Sequence, residues 1–562
     1  MTMFKKTDPN PQLDIFTAPS MQLGSRASKK YSDPNAWHNQ FYSLVTTKIN
    51  EEIFKPLFPE GKKCGRPNAS IRILVAMSAL KEGFGCSDED LFEKCEFDLL
   101  TRKALGMELL TDVTPSIDTY YLFRRRICEY QERTGIDLMQ LCFEQLAGNQ
   151  VRLLKISGKC VRMDSKLIGS NIARQSRYEL IHTTLVKFLK TCTLSDLSPE
   201  QEERAKEYLK EDSSKTVYRS DSDTLQSNLA RIGNFIMEML ATFPATSPAH
   251  DLLQRLFAEQ YAVKDGKAVL RDKKEVKADS LQNPNDPDAT YRAKNDQKVQ
   301  GYVTNITETV EEGKPNIITS VQVETAVFAD CHFLQEAVEN SERVTDSTIE
   351  DLYADGAYQS PDNREFAKNH NAMQLKTGKM QGGCRWELIP HDEDGLTVRE
   401  IATGNTYEAV KAVTKQGSRK RWRIPWNNKT GWRYFEDKDI KAYQLRKQIE
   451  SLPLEEQHKR NNVEAAMFQY SFHTRKGKTR YRGLLKHRMH AYSRCMWMNL
   501  RRMVIFQIST FQRSIFALFG PIREAFGSFK AISRKIFTSG ADCYVSLRMT
   551  TLARLDSKYV PF

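Results

Sequence analysis

Apolar residues recur along this chain with two different periods, and the switches between them mark its parts. From Ala36 to about Glu144 the spacing is close to 3.6. Ile71, Leu74 and Val75, with Met77 and Leu80 close by, make one apolar face. Gly83 and Gly85 follow as a stop, and Ser87 caps a helix DEDLFEKC with Asp90 three residues on. TPSIDTYYLFRRRICEY opens on a Pro-Ser entry and carries Arg124, Arg125 and Arg126. Two readings of this stretch stand side by side: a helix-turn-helix with a basic second element, or a helical bundle with solvated arginines. Residues 1–30 read as a flexible arm and 31–150 as a helical, DNA-binding type of domain.

From about Lys155 the period changes. LLKISGKCVRMDSK is a strand pattern that enters Asp164, and residues 176–275 are again helical and highly charged. GYVTNITETV and NIITSVQVET, separated by EEGKP, predict a hairpin. CHFLQEAVENSER reads as a helix, IEDLYADGAY as a strand closing at Asp355, PDNREFAKNHN as a helix and AMQLKTG as a strand. Residues 381–440 are strand-like with turn signals DEDG, TGN and NNKTG, and hold Trp386, Trp422, Trp426 and Trp432. These tryptophans suit the core of a small β module, or stacking on a flipped base. After Pro453 the pattern is helical through about Met503, and 506–562 is a basic tail. The order predicts an α/β fold: an RNase H-like mixed-sheet catalytic core over 151–505, with a helical N-terminal domain, a helical insertion (about 176–275) and a small β insertion (about 381–440).

Charge sharpens this picture. The chain has 562 residues and a net charge of +13. From Gln457 to the last residue there are 20 Lys and Arg against 4 Asp and Glu, a local charge of +16, so the remainder is slightly acidic. A concentrated basic block points to a polyanion partner better than a diffuse excess does. The 11 cysteines form no C-x-x-C pair and no zinc spacing, which suggests reduced thiols in a cytoplasmic protein. No signal-peptide core, no run of about 20 apolar residues and no GxxxxGK[ST] occurs, so secretion, a membrane partner and nucleotide hydrolysis are not expected.

Three acids stand in different settings: Asp164 and Asp355 at the ends of strand patterns, and Glu464 on a helical pattern in the basic block. Each has an ordinary reading, as a helix cap, a turn residue and a partner of Arg460 one turn earlier. Together they have another. Carboxylates held close repel one another and invite Mg2+ or Mn2+, whose hard character suits oxygen ligands. Two such ions can serve phosphodiester chemistry.

At these positions the sequence resembles a DDE transposase of a bacterial insertion sequence. VRMDSKLIGSN is similar to the first acidic motif, YADGAY to the second, and RNNVEAAMFQYSF to the third, with Arg460 four residues before the Glu. GKTRYRGLLKHRMHAYSRCMWMNLRRM resembles the closing segment, NPNDPDATYRAKNDQKVQGY the lead into the hairpin, and GRPNASIRILVAMSALKEGFGCSDEDL a helical N-terminal domain found in one large group. Some relatives carry a Tyr and a Lys where this chain has Gln457 and Ser471. The resemblance implies two Mg2+ ions (Mn2+ substituting) held by Asp164, Asp355 and Glu464. It implies metal-dependent cleavage and strand transfer at the ends of a mobile element. It also implies double-stranded DNA as partner, a homodimer when bound to DNA, and a cytoplasmic, nucleoid-associated location in a bacterium. Arg124, Arg125, Arg126, Arg460, Arg475, Lys476, Arg480, Arg482, Lys486 and Arg488 are the candidate DNA contacts. The rival readings are a catalytically inactive domesticated DNA-binding protein and an RNase H-like nuclease without strand transfer.

Overall fold

The computed structural model describes residues 4–7, 18–58, 67–244, 247–294, 297–377, 384–391, 395–412, 421–426, 431–451, 453, 456, 459 and 463–525, with side chains to 510. Arg460 and the part of the basic tail beyond 525 lie outside the described residues.

Helices occupy the chain before the first strand. Ile71–Phe84 starts where the Ser70 hydroxyl accepts from the Ile73 amide, and ends at Gly85 with φ +67°. Asp88–Phe97 opens with the capping box legible in the sequence, Ser87 and Asp90 exchanging side-chain-to-backbone bonds. Ile71–Phe84 is not one-sided, since 12 of its 14 residues are buried. It lies between its helical neighbours and the long helix Leu484–Ala525. At Gly83 a Cβ would fall 2.3 Å from the Trp497 indole, so only glycine permits that approach.

β1 (Cys160–Gly169) enters a six-stranded sheet. Helices Arg177–Leu189, Pro199–Lys210, Ser222–Thr242 and Pro248–Gln260 follow, around a separate core that includes Ile181, Leu185, Phe235 and Leu253. β2 (Tyr261–Lys264) and β3 (Lys267–Leu270) close that module as a hairpin. Its turn residues Asp265 and Gly266 both have positive φ, which is why the sequence needs Asp-Gly there. The helical reading of 176–275 missed this hairpin.

β4 (Thr290–Lys294), β5 (Gln297–Thr309), β6 (Ile318–Thr325), β7 (Asp351–Ala354) and β8 (Gln374–Thr377) complete the sheet. β5 runs antiparallel to β1, and β4 and β6 share its other edge, both antiparallel. β7 is parallel to β1, and β8 to β7. The EEGKP hairpin is present as β5–β6, whereas β4 was not expected. The sheet is buried on both faces. Val161 and Met163 pack with Leu352 and Ala354 under the helix Leu334–Thr345, while Ile168, Tyr302 and Ile306 join the core of the N-terminal helices.

β9 (Trp386–Pro390), β10 (Leu396–Glu400), β11 (Thr406–Lys411), β12 (Arg421–Trp426) and β13 (Gly431–Glu436) form a second, antiparallel sheet in chain order. Trp386 and Trp422 are core residues of this module. Trp432 is 49% exposed and lies under the Arg423 guanidinium, 4.2 Å away. The Trp426 side chain lies outside the described residues.

The helical run expected from Pro453 to Met503 is divided. Val463–Ser471 is one helix and Leu484–Ala525 another. Between them the chain crosses to the end of β1, where the Gly169 amide donates to Gly477 O (2.8 Å) and the Thr479 amide to Gly169 O (3.0 Å). Gly477 and Gly483, with φ +72° and +88°, make the crossing possible.

Candidate active site

Asp164 does not end its strand. It is the fifth residue of ten in β1, because antiparallel pairing with β5 continues from Val161 to Gly169. What ends near it is the other neighbour: β7 pairs with β1 only as far as Arg162↔Tyr353. Two residues further along each of these parallel strands come Asp164 and Asp355. Asp355 leaves the sheet at that point, with its Oδ1 accepting from the Gly356 amide (2.7 Å) as it caps the turn Gly356–Tyr358. Asp164 Oδ1 accepts in the same way from the Ser165 amide (2.8 Å).

Glu464 is exposed in the first turn of the helix Val463–Ser471, where a carboxylate is favoured by the helix dipole. Val463, Ala466, Met467 and Tyr470 bury the opposite side. Two hydrogen bonds fix how this segment runs along β1. Arg162 donates to the carbonyl of Lys459 (2.8 Å), and Lys166 Nζ donates to Ser471 Oγ (2.7 Å). Arg162, Asp164 and Lys166 alternate along a strand and so share one face. Lys459 therefore lies at the Arg162 end of that face and Ser471 at the Lys166 end, and Glu464 falls between these two anchors along the chain. Seven helical residues return to nearly the same side, so Glu464 and Ser471 share a stripe. Among the described residues, however, no three His, Cys, Asp or Glu side chains form a group that could hold a metal ion. The two aspartates follow the paired ends of β1 and β7, close enough for the charge of Asp355 to act on Asp164.

Burial pushes the Asp164 carboxyl up to about 6, and the negative charges of Asp355 and Asp330 act in the same direction. The Ser165 amide and Lys294 oppose this. Asp330 is itself paired, with Arg292 at 2.9 Å and Lys294 at 3.5 Å. Asp164 and Asp355 are hard oxygen donors, and such donors suit Mg2+ or Mn2+. Tyr358 packs in the core on the other face of the sheet, its hydroxyl donating to Asn305 Oδ1 (2.7 Å).

The candidate DNA contacts fall into two groups. Arg124 is turned inward, its guanidinium over the rings of Tyr120 and Tyr481 at 5.4 and 5.3 Å. Arg126 lies over Phe58, and Arg125 is exposed beside Glu129 at 3.5 Å. Arg480 donates to the Cys86 carbonyl, Arg482 to Asn171 O (2.7 Å), and Arg488 to Val323 O (3.1 Å) while pairing with Glu324. Apart from Arg125, these side chains hold segments together, although Arg480 and Arg482 are also exposed. Arg475, Lys476 and Lys486 are exposed. Lys476 sits with φ +51° at the tip of a tight turn closed by reciprocal bonds between Arg475 and Lys478. Lys478 itself is tied back to Ile172 O (2.6 Å).

Sequence reading passed over Arg162 and Lys166, although both lie two residues from Asp164 and alternation alone sets them on its face. Arg162 also forms a buried pair with Glu308, which takes a second cation from Arg502 (2.6 Å). Three alternating charged residues inside a strand, in RMDSK, were the available signal: such residues need partners when a sheet is covered on both sides.

Residues 30–126 match the family model for a transposase domain (DUF772). This match implies transposase function for a chain that carries such a domain at its helical end. Neither a curated protein nor a solved structure matches the chain.

Proposed function

We infer that the protein is a DDE transposase that binds the ends of a mobile DNA element, cleaves them and joins them to target DNA. The observation that carries this reading is the β1–β7 pairing, which sets Asp164 beside Asp355 in a chain whose N-terminal helices match a transposase domain. The strand order β6-β5-β1-β7-β8, with three strands antiparallel and β1, β7 and β8 parallel, supports an RNase H-like core. Asp164 and Asp355 would hold Mg2+, with Glu464 supplying the third carboxylate from its helix. Bound there, divalent ions supply the positive charge that phosphodiester cleavage and transesterification require. The protein's own residues do the rest. Arg162 fixes the approach to the Glu464 helix through the Lys459 carbonyl. Lys166, held by Ser471, places a cation beside the carboxylates for a DNA phosphate. Arg475, Lys476 and Lys486 extend that positive surface over duplex DNA, and two copies of the chain on paired ends complete the assembly.

The test is Mg2+-dependent cleavage and strand transfer on DNA carrying the element's own ends. Asp164→Asn, Asp355→Asn and Glu464→Gln each remove a charge while keeping shape. Each should bind the ends and lose both reactions. Cleavage without joining by the natural protein would make it a nuclease, and near-normal cleavage by Glu464→Gln would remove that residue from the set.

A further inference from the structure

The helix Val463–Ser471 and the residue that follows it show solvent two aromatic rings. Phe468 is 64% exposed and Phe472 36%, with ring centroids 5.9 Å apart at an interplanar angle of 72°. Helices of soluble proteins normally turn such rings inward, and this helix has an inward side, made by Val463, Ala466, Met467 and Tyr470. Phe468 lies on the exposed ridge of the helix, one turn past Glu464, and Phe472 directly follows Ser471 where the helix ends. Ser471 holds Lys166, so the ridge borders the face of β1 that carries Asp164. An edge-to-face pair leaves ring faces open for a further flat partner.

The surroundings identify that partner. Lys166 is bonded to Ser471, the chain neighbour of Phe472, and exposed Arg475 and Lys476 follow three and four residues beyond Phe472. Two rings form too small an apolar patch for a stable protein interface, which needs about 800 Å2 on each partner. Open aromatic faces among lysines and arginines are the combination that holds unpaired nucleotides: cations for the backbone and rings for the bases. Phe472 is also held in place, since its neighbour His473 stacks edge-on against it at 5.1 Å and bonds to Gly83 O at 3.1 Å.

We propose that Phe468 and Phe472 form a stacking site for an unpaired base of the DNA strand whose phosphate lies at Asp164 and Asp355. This rests on the transposase reading and adds a structural preference to it: the protein favours DNA that is opened at its end. Stacking is tolerant of base identity, so it can be measured without knowing the element's terminal sequence.

The experiment compares two labelled duplexes of equal length at one salt concentration, one blunt and one with a short unpaired fork carrying 2-aminopurine. The full chain should bind the fork more tightly, by roughly tenfold per stacked base, and quench the 2-aminopurine. In Phe468→Ala and Phe472→Ala the ratio of the two affinities should fall towards one and the quench should disappear. Phe468→Trp should keep both. Equal binding of the two duplexes by the natural protein, or an unchanged ratio in the alanine variants, overturns this inference and leaves the transposase reading standing. A change of molecular mass in the alanine variants with no change in ratio assigns the rings to contact with a second copy and also overturns it. Binding to neither duplex overturns the DNA reading itself.

Discussion

At the scale of single residues, Asp164 is held where its charge is unfavourable. It sits in the middle of a paired strand, desolvated, with Asp355 on the adjacent strand, and its carboxyl titrates near 6 rather than 3.8. The sign follows from linkage. Between about 4 and 6 the folded protein keeps a proton that the unfolded chain has released, so stability falls as pH rises through that window. Below it Asp164 is neutral in both states and the effect vanishes. In metal-free protein, Asp164→Asn should therefore raise stability at pH 7.5 by roughly 1–3 kcal/mol, and by little at pH 4. Thermal or urea unfolding at the two pH values reads this directly. Equal effects at both would mean that Asp164 is solvated. Mg2+ should stabilise the natural protein at pH 7.5 and leave the Asn variant nearly unchanged, because binding to the folded state alone raises its stability.

At the scale of elements, the loop 472–483 and the start of the long helix divide the basic residues by task. Arg475, Lys476 and Lys486 are exposed, while Arg488 is engaged with Val323 O and Glu324. Replacing Arg475, Lys476 and Lys486 by Ala should flatten the salt dependence of duplex binding by about 0.9 per lost phosphate contact and leave the melting temperature almost unchanged. Arg488→Ala should lower stability by roughly 1–2 kcal/mol with little change in that slope. The reverse pattern would move the DNA surface away from the turn. Sequence alone could not make this division, because a run such as RKGKTRYRGLLKHR shows charge and not direction. Periodicity did show the helices Ile71–Phe84 and Asp88–Phe97 and the hairpin β5–β6, where the apolar spacing and the cap or turn residues agree. It failed where local pattern and tertiary pairing diverge. β1 runs on past Asp164 only because β5 is there to pair with it. β4 exists only as the edge partner of the first residues of β5. The acids stood out in the sequence through their motifs; alternation sets Lys166 and Arg162 on the same face, but their partners Ser471 and Lys459 came from far along the chain.

At the scale of the whole molecule, the helical N-terminal region and the mixed sheet share one core. Trp37, Phe41 and Phe84 pack around Trp497, with ring centroids 5.4–6.2 Å apart, although Trp497 lies far along the chain on the helix Leu484–Ala525. Glu82 is buried at this junction with its carboxylate paired to His490 at 2.7 Å and bonded to the Tyr481 hydroxyl. His490 and the other partners hold this carboxyl well below the usual range although burial opposes them. Arg494 donates to the carbonyls of Glu82 and Gly83. The matched transposase segment, 30–126, thus depends on a helix near the other end of the chain for its largest aromatic contact and for the partner of a buried charge. Removing one member of a buried ion pair costs roughly 3–5 kcal/mol, and uncovering three aromatic rings costs several more. That exceeds what a domain of this size keeps in reserve. A fragment of residues 1–155 should therefore have helical far-ultraviolet circular dichroism without a cooperative thermal transition, and should bind a dye for exposed apolar surface. Co-expression with residues 156–562 should restore a single transition and burial of the tryptophans, read by their fluorescence. If the short fragment melts cooperatively on its own, the shared core is a contact between two independent domains, and Glu82→Gln in the full chain should then alter only how they dock.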